Sequence, residues 1–136
     1  MLETLAVTLL FQAAGATAPV TSAQPTTPSY QGVWIVEVVD NIKVMPDSKV
    51  TMRIDGGTVT GLASCNTYRG SFTVTGTSIK IGEFLRTMKT CDPPRLSEEN
   101  DFLAVLREVV RYEVQSRDIL ELKTSDGKTI VATRAR

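Results

Sequence analysis

From Gly32 onward the chain alternates apolar and polar residues with a period of two, in short pieces separated by glycine-bearing turns. In "SKVTMRIDGGTVTGL", Val50, Met52 and Ile54 alternate with Thr51, Arg53 and Asp55, and the run stops at Asp55-Gly56-Gly57. Glycine readily takes the positive φ that tight hairpin turns need, so this stretch reads as two strands and a turn. "SFTVTGTSIKIG" repeats the device with Phe72 and Val74, a turn at Gly76, then Ile79 and Ile81. "DILELKTSDGKTIVATR" does so with Leu120 and Leu122, a Ser125-Asp126-Gly127 turn, then Ile130 and Ala132. "GVWIVEVVD" adds a β-branched run around Trp34.

One stretch has a different period. In "SEENDFLAVLREVVRY", Phe102, Leu106 and Val109 recur at helical spacing, with Leu103 and Val110 beside them. Ser97 is placed to act as N-cap, Glu98 and Glu99 suit the positive helix end, and Arg107 and Arg111 suit the negative one. Asp92-Pro93-Pro94 makes a stiff entry. The expected fold is therefore mainly β: about eight short antiparallel strands closing as a small barrel, with one α-helix near residues 95–111 as a plug.

Composition removes several chemistries. Fifteen Lys and Arg balance fifteen Asp and Glu, so nothing in the net charge marks a nucleic-acid binder. The chain has no histidine, which excludes Ser-His-Asp and Cys-His arrangements and any His-containing zinc site. Its two cysteines, Cys65 and Cys91, fall short of an all-cysteine zinc site, and no cofactor or metal is expected. Glu98, Glu99 and Asp101 lack the alternating spacing of a calcium loop and read as a solvated helix start.

Before Gly32 the character changes. Residues 1–18 hold an apolar run, Leu5 to Ala14, followed by small residues, which resembles a secretory signal and is too short to span a bilayer. Glu3 stands where positive charge is expected, and a start assigned downstream of a basic segment would account for that. Residues 19–31, rich in Thr, Pro and Ser, read as a linker, and the folded domain is expected over 32–136. An exported chain is secreted, periplasmic or envelope-bound, touching the membrane only through an uncleaved N-terminal segment.

The pieces then fall in an order: "GVW", "GLASCNTYRGSF", "TMKTC", an acidic-to-apolar helix, "ILEL". This order resembles the META domain family, which includes the heat-shock protein HslJ, over about residues 32–134. The most specific parts are Cys65-Asn66-x-Tyr68-x-Gly70-x-Phe72 and Thr87-x-x-x-Cys91; Ser64 departs from the glycine common in the family. The resemblance implies a lipocalin-like barrel in exported or envelope proteins, and it implies no catalytic residues.

An even cysteine count in an exported chain makes a Cys65–Cys91 disulfide the default, with buried free thiols or a thiolate function as alternatives. Asn66, Tyr68 and Arg69 are a candidate interaction surface, although turn chemistry and barrel-end packing are the simpler account of them. Trp34, Phe72, Phe84 and Phe102 are a candidate apolar pocket, against plain core filling. The expected function is a non-catalytic, monomeric envelope module that binds another protein, in a stress-related or secretion-related role. The alternatives are a carrier of a small apolar ligand or lipid, and a protease inhibitor.

Overall fold

The computed structural model describes residues 29–136, so the signal-like segment and most of the linker lie outside the described residues. In chain order the elements are β1 (Gly32–Val39), β2 (Ile42–Lys43), β3 (Thr51–Asp55), β4 (Thr58–Ala63), β5 (Asn66–Thr75), β6 (Ser78–Ile81) and β7 (Leu85–Arg86). There follow α1 (Pro93–Arg107), β8 (Val109–Gln115), β9 (Ile119–Thr124) and β10 (Thr129–Arg134). Neighbours run β10-β9-β8-β6-β5-β4-β3-β1, and β1 also pairs antiparallel with β10, so eight strands close into a barrel. β2 folds back on β1, and β7 is a short addition beside β5. This is the small antiparallel barrel with a single helix that the alternation predicts.

The period of two decides which side chains face inward. β1 buries Trp34 and Val36 and exposes Val33, Ile35 and Glu37; β5 buries Asn66, Tyr68, Gly70 and Phe72 and exposes Thr67, Arg69, Ser71 and Thr73. Trp34, Met52, Ile54, Phe72, Leu120, Leu122 and Ile130 are each less than 2% exposed and fill the interior. Each contributes about 1.5–3 kcal/mol by leaving water. At the β3–β4 turn, Gly56 and Gly57 have φ of +56° and +87°, the two consecutive positive values of a type I′ hairpin.

The barrel ends are closed by different means. At one end the Tyr30 ring packs on Phe72 and Tyr112, with centroids 6.1 and 4.9 Å away. The indole N–H of Trp34 donates to the Tyr30 carbonyl at 2.8 Å. Arg134 lies over the Trp34 ring at 4.2 Å and donates to the carbonyls of Gln31 and Ser29 at 3.1 and 2.8 Å. Residues 29–31, expected as the end of the linker, thus belong to the barrel. An aromatic ring covers the core there, and a guanidinium satisfies their backbone carbonyls.

The helix covers the opposite end with Phe102, Leu103, Val105 and Leu106 buried. It runs Pro93–Arg107 instead of 95–111. Asp92 takes the N-cap position with prolines directly behind it, because proline's fixed φ and missing N–H fit the first helical turn. Ser97 therefore lies inside the helix and is not its cap. Val109 leaves the helical pattern because it pairs with Thr124 of β9. Substituting Tyr30→Ala should lower stability by about 2 kcal/mol in urea unfolding, as expected for a half-buried aromatic lost from a packed end. An unchanged midpoint would return these residues to the linker.

Candidate functional site

Ser64 and Cys65 form a two-residue connection between β4 and β5, with Ala63 paired to Asn66. Ser64 has φ +76° and Cys65 does not share the positive sign, which is the φ pattern of a type II′ turn. That turn favours glycine at its first central position, and serine holds it here at a cost of about 1–3 kcal/mol. The Ser64 hydroxyl is also buried without a hydrogen-bond partner among the described residues.

Cys65 is joined by a disulfide to Cys91, 26 positions further along the chain, with Cα atoms 6.1 Å apart. Of the roles open to Cys65, it is a staple, fastening the turn to the segment that leads into α1. Asn66, the next residue, is 3% exposed and does not face solvent. Its backbone N–H and side-chain amide donate to the two oxygens of the Glu99 carboxylate at 2.6 and 3.0 Å. Its Oδ1 accepts from the Lys89 N–H at 2.6 Å and from the Thr87 hydroxyl at 2.9 Å. Arg86 completes the cluster, donating to Glu99 at 2.9 Å and to Asn100 Oδ1 at 3.1 Å.

Glu99 is fully buried, which corrects its reading as part of a solvated helix start. An ionised carboxylate can sit there because both of its oxygens accept hydrogen bonds and a guanidinium offsets its charge. Its neighbour Glu98 turns elsewhere, accepting from the Met45 N–H at 2.8 Å and from the Ser48 hydroxyl. The acidic run at the helix start is therefore a pair of anchors. Among the described residues no three His, Cys, Asp or Glu side chains group so as to hold a metal ion.

Tyr68 is 3% exposed, its ring edge-on to Phe84 and Phe102 at 5.8 and 5.5 Å, and its hydroxyl donates to the Thr51 carbonyl at 2.8 Å. Burial raises its pKa far above the ordinary tyrosine value. Only Arg69 of the expected surface trio is exposed, since strand alternation turns Asn66 and Tyr68 inward. Gly70, the glycine of the motif, lies mid-strand, where a Cβ would overlap the Phe84 ring. The expected apolar pocket is also corrected. Trp34, Phe72 and Phe102 are core side chains in close packing, and Phe84 lies half-buried at the rim over Tyr68 and Gly70.

The arrangement locks one turn, one loop and one helix together, and of its buried side-chain polar groups only the Ser64 hydroxyl lacks a partner among the described residues. Glu99→Ala should cost about 3–5 kcal/mol, because it strands the donors of Asn66 and Arg86; a loss under about 1 kcal/mol in chemical unfolding would remove Glu99 from this role. Ser64→Gly should raise stability by about 1 kcal/mol by relieving the strained φ. The denatured, unreduced protein should show no free thiol, and reduction should cost roughly 3–4 kcal/mol on the chain-entropy account.

The fold recurs in solved structures of low sequence identity. An NMR structure of a protein from Burkholderia xenovorans superposes with a TM-score of 0.65 at 20% identity, covering 77% of this chain and 82% of that one. A second protein solved by NMR gives 0.61 at 16% identity, covering 79% and 93%. The crystal structure of a DUF4847 family protein from Bacteroides vulgatus gives 0.57 at 17%, covering 77% and 93%. A sequence comparison with curated proteins finds no match. The META domain model matches residues 27–136, and so the Cys65–Asn66–Glu99 clasp closes a barrel that belongs to the META domain family.

Proposed function

We propose that this chain is a non-catalytic binding module of the cell envelope that acts on another protein through its outer surface. The observation that carries this reading is the filled interior. Large side chains occupy the barrel, Tyr30 and α1 stop its two ends, and the polar motif residues are bonded to one another. The outer surface is then what remains for recognition. The disulfide fits an oxidising compartment, in keeping with the signal-like start. A role under stress follows the family resemblance. The test is affinity capture from an envelope fraction with the oxidised protein, under native and heat-stress conditions. A reproducible partner should survive conservative core changes such as Leu122→Ile and be lost on surface charge reversal. Capture that is insensitive to surface changes, or no reproducible partner, would sink the reading.

One feature favours the small-hydrophobe alternative, moved from the interior to the outside. An open groove of about 410 Å³ lies between the β1–β2 turn and α1, with Val39, Ile42, Val44, Met45 and Val105 among its walls. That volume is in the range of small-molecule sites. Native mass spectrometry with fatty acids should then show a bound species that Ile42→Asp removes. The bare chain mass throughout would leave the protein-binding reading alone.

A further inference from the structure

The loop fastened by the clasp carries two of the most exposed large apolar side chains in the described structure, Leu85 at 76% and Met88 at 82%. The residues from Glu83 to Thr90 are exposed apart from Phe84, yet their backbone is held at several points. β7 pairs with β5, the Thr87 N–H donates to the Thr67 carbonyl at 3.0 Å, and Asn66 accepts from Lys89. Arg86 is bound to Glu99 and the disulfide closes the segment at Cys91. A scattered surface leucine needs no explanation. Two apolar side chains projecting from a segment this firmly held are different, because their presentation to solvent is fixed by the fold.

Cations surround them. Arg69 lies directly across from Leu85 in the β5–β7 register. Arg86 and Arg107 flank a cleft of about 280 Å³ over Phe84 and Leu103, with Asn100 on its wall. Arg107 also borders an adjoining cleft with Lys80. Arg69, Lys80, Lys89 and Arg107 form no salt bridge among the described residues. Of the carboxylates nearby, Asp126 on the adjoining cleft is paired with Lys128, while Glu83 and Glu108 form no ion pair among the described residues, so four unpaired cations face two unpaired carboxylates.

The geometry points to a peripheral membrane-docking face: Leu85 and Met88 enter the acyl boundary of an anionic bilayer while Arg69, Lys80, Lys89 and Arg107 contact its phosphates, one headgroup seating between Arg86 and Arg107. Single projecting apolar side chains ringed by cations match the layering of a lipid interface, where apolar groups go below the headgroups and cations stay among them. An acidic polypeptide would use the cations but would leave the tips of Leu85 and Met88 without a flat apolar counterpart. No helix among the described residues is long and apolar enough to cross a membrane, so this contact is a surface one. It is independent of the protein-binding reading, since a barrel resting on a bilayer keeps its other faces free.

The test uses the oxidised full chain carrying Leu85→Trp, titrated with phosphatidylcholine vesicles, with and without phosphatidylglycerol, and with bromine-labelled acyl chains. The wild-type chain, whose one tryptophan is the buried Trp34, is the control. The added tryptophan should shift to shorter wavelength and be quenched on anionic vesicles only. Lys80→Gln with Arg107→Gln should raise the lipid needed for half the change about 30-fold, and Met88→Asp should abolish it. The proposal fails if the added tryptophan stays in water while anionic vesicles are present, even if the chain sediments with them through its N-terminal segment. It also fails if neutral vesicles act equally well. A response to polyglutamate in the absence of any vesicle response would reassign the face to an acidic protein.

Discussion

A buried carboxylate sets the terms for one end of this molecule. Glu99 is fully enclosed, and its burial requires that Asn66 and Arg86 both donate to it. That requirement fixes three elements at once. Asn66 must begin β5 immediately after the Ser64–Cys65 turn, Arg86 must lie on β7, and the second turn of α1 must face inward. Asn66 then transmits the constraint through Oδ1 to Thr87 and Lys89. The disulfide adds an entropic restraint to the same segment. Polar bonding and covalent restraint act here in parallel, so loss of one leaves the other holding the loop.

The rest of the barrel depends on this end in a definite way. Strands β6 and β8 meet through a single paired position, Ser78 with Arg111, and one further bond from the Tyr112 N–H to the Thr77 carbonyl. Closure at that seam relies less on the ladder than on what is packed behind it. Tyr30, held between Phe72 of β5 and Tyr112 of β8, spans it at one end. The interior behind it is filled by large side chains. The same fullness leaves the outer surface and its grooves as the parts open to solvent.

Much of this was legible in the sequence. The alternation in "SKVTMRIDGGTVTGL" gives a hairpin at Gly56-Gly57, and the helix stands out by its different period. With two cysteines there is one possible pairing within the chain, and an expectation of export makes it the default. What failed failed for physical reasons. As a candidate interaction surface Asn66 and Tyr68 rest on their place in a loop, but β5 starts at Asn66 and its alternation turns both inward, as the simpler packing account has it for Tyr68. Glu99 was read as solvated by its charge, although with Phe102, Leu103 and Leu106 it occupies one helical face at spacings of three, four and seven. A charge in line with an apolar stripe was the available signal. Its partners Asn66 and Arg86 lie 33 and 13 positions away, and no local pattern connects them.

The residues that identify the family are therefore those that hold the fold together, and this separates recognition of the fold from recognition of a partner. Cys65, Asn66, Tyr68, Gly70, Thr87 and Cys91 act on one another or on the core, and Phe84 rests where Gly70 leaves room. The side chains that such a clasp displays, Leu85 and Met88, make no contribution to it that their exposure would allow. Stability then places no constraint on them, and they are free to be set by whatever they meet. Their place on a loop held by a rigid scaffold is where recognition residues are commonly found. The motif says what kind of barrel this is, and in the proposed docking face the tips are what meets the bilayer.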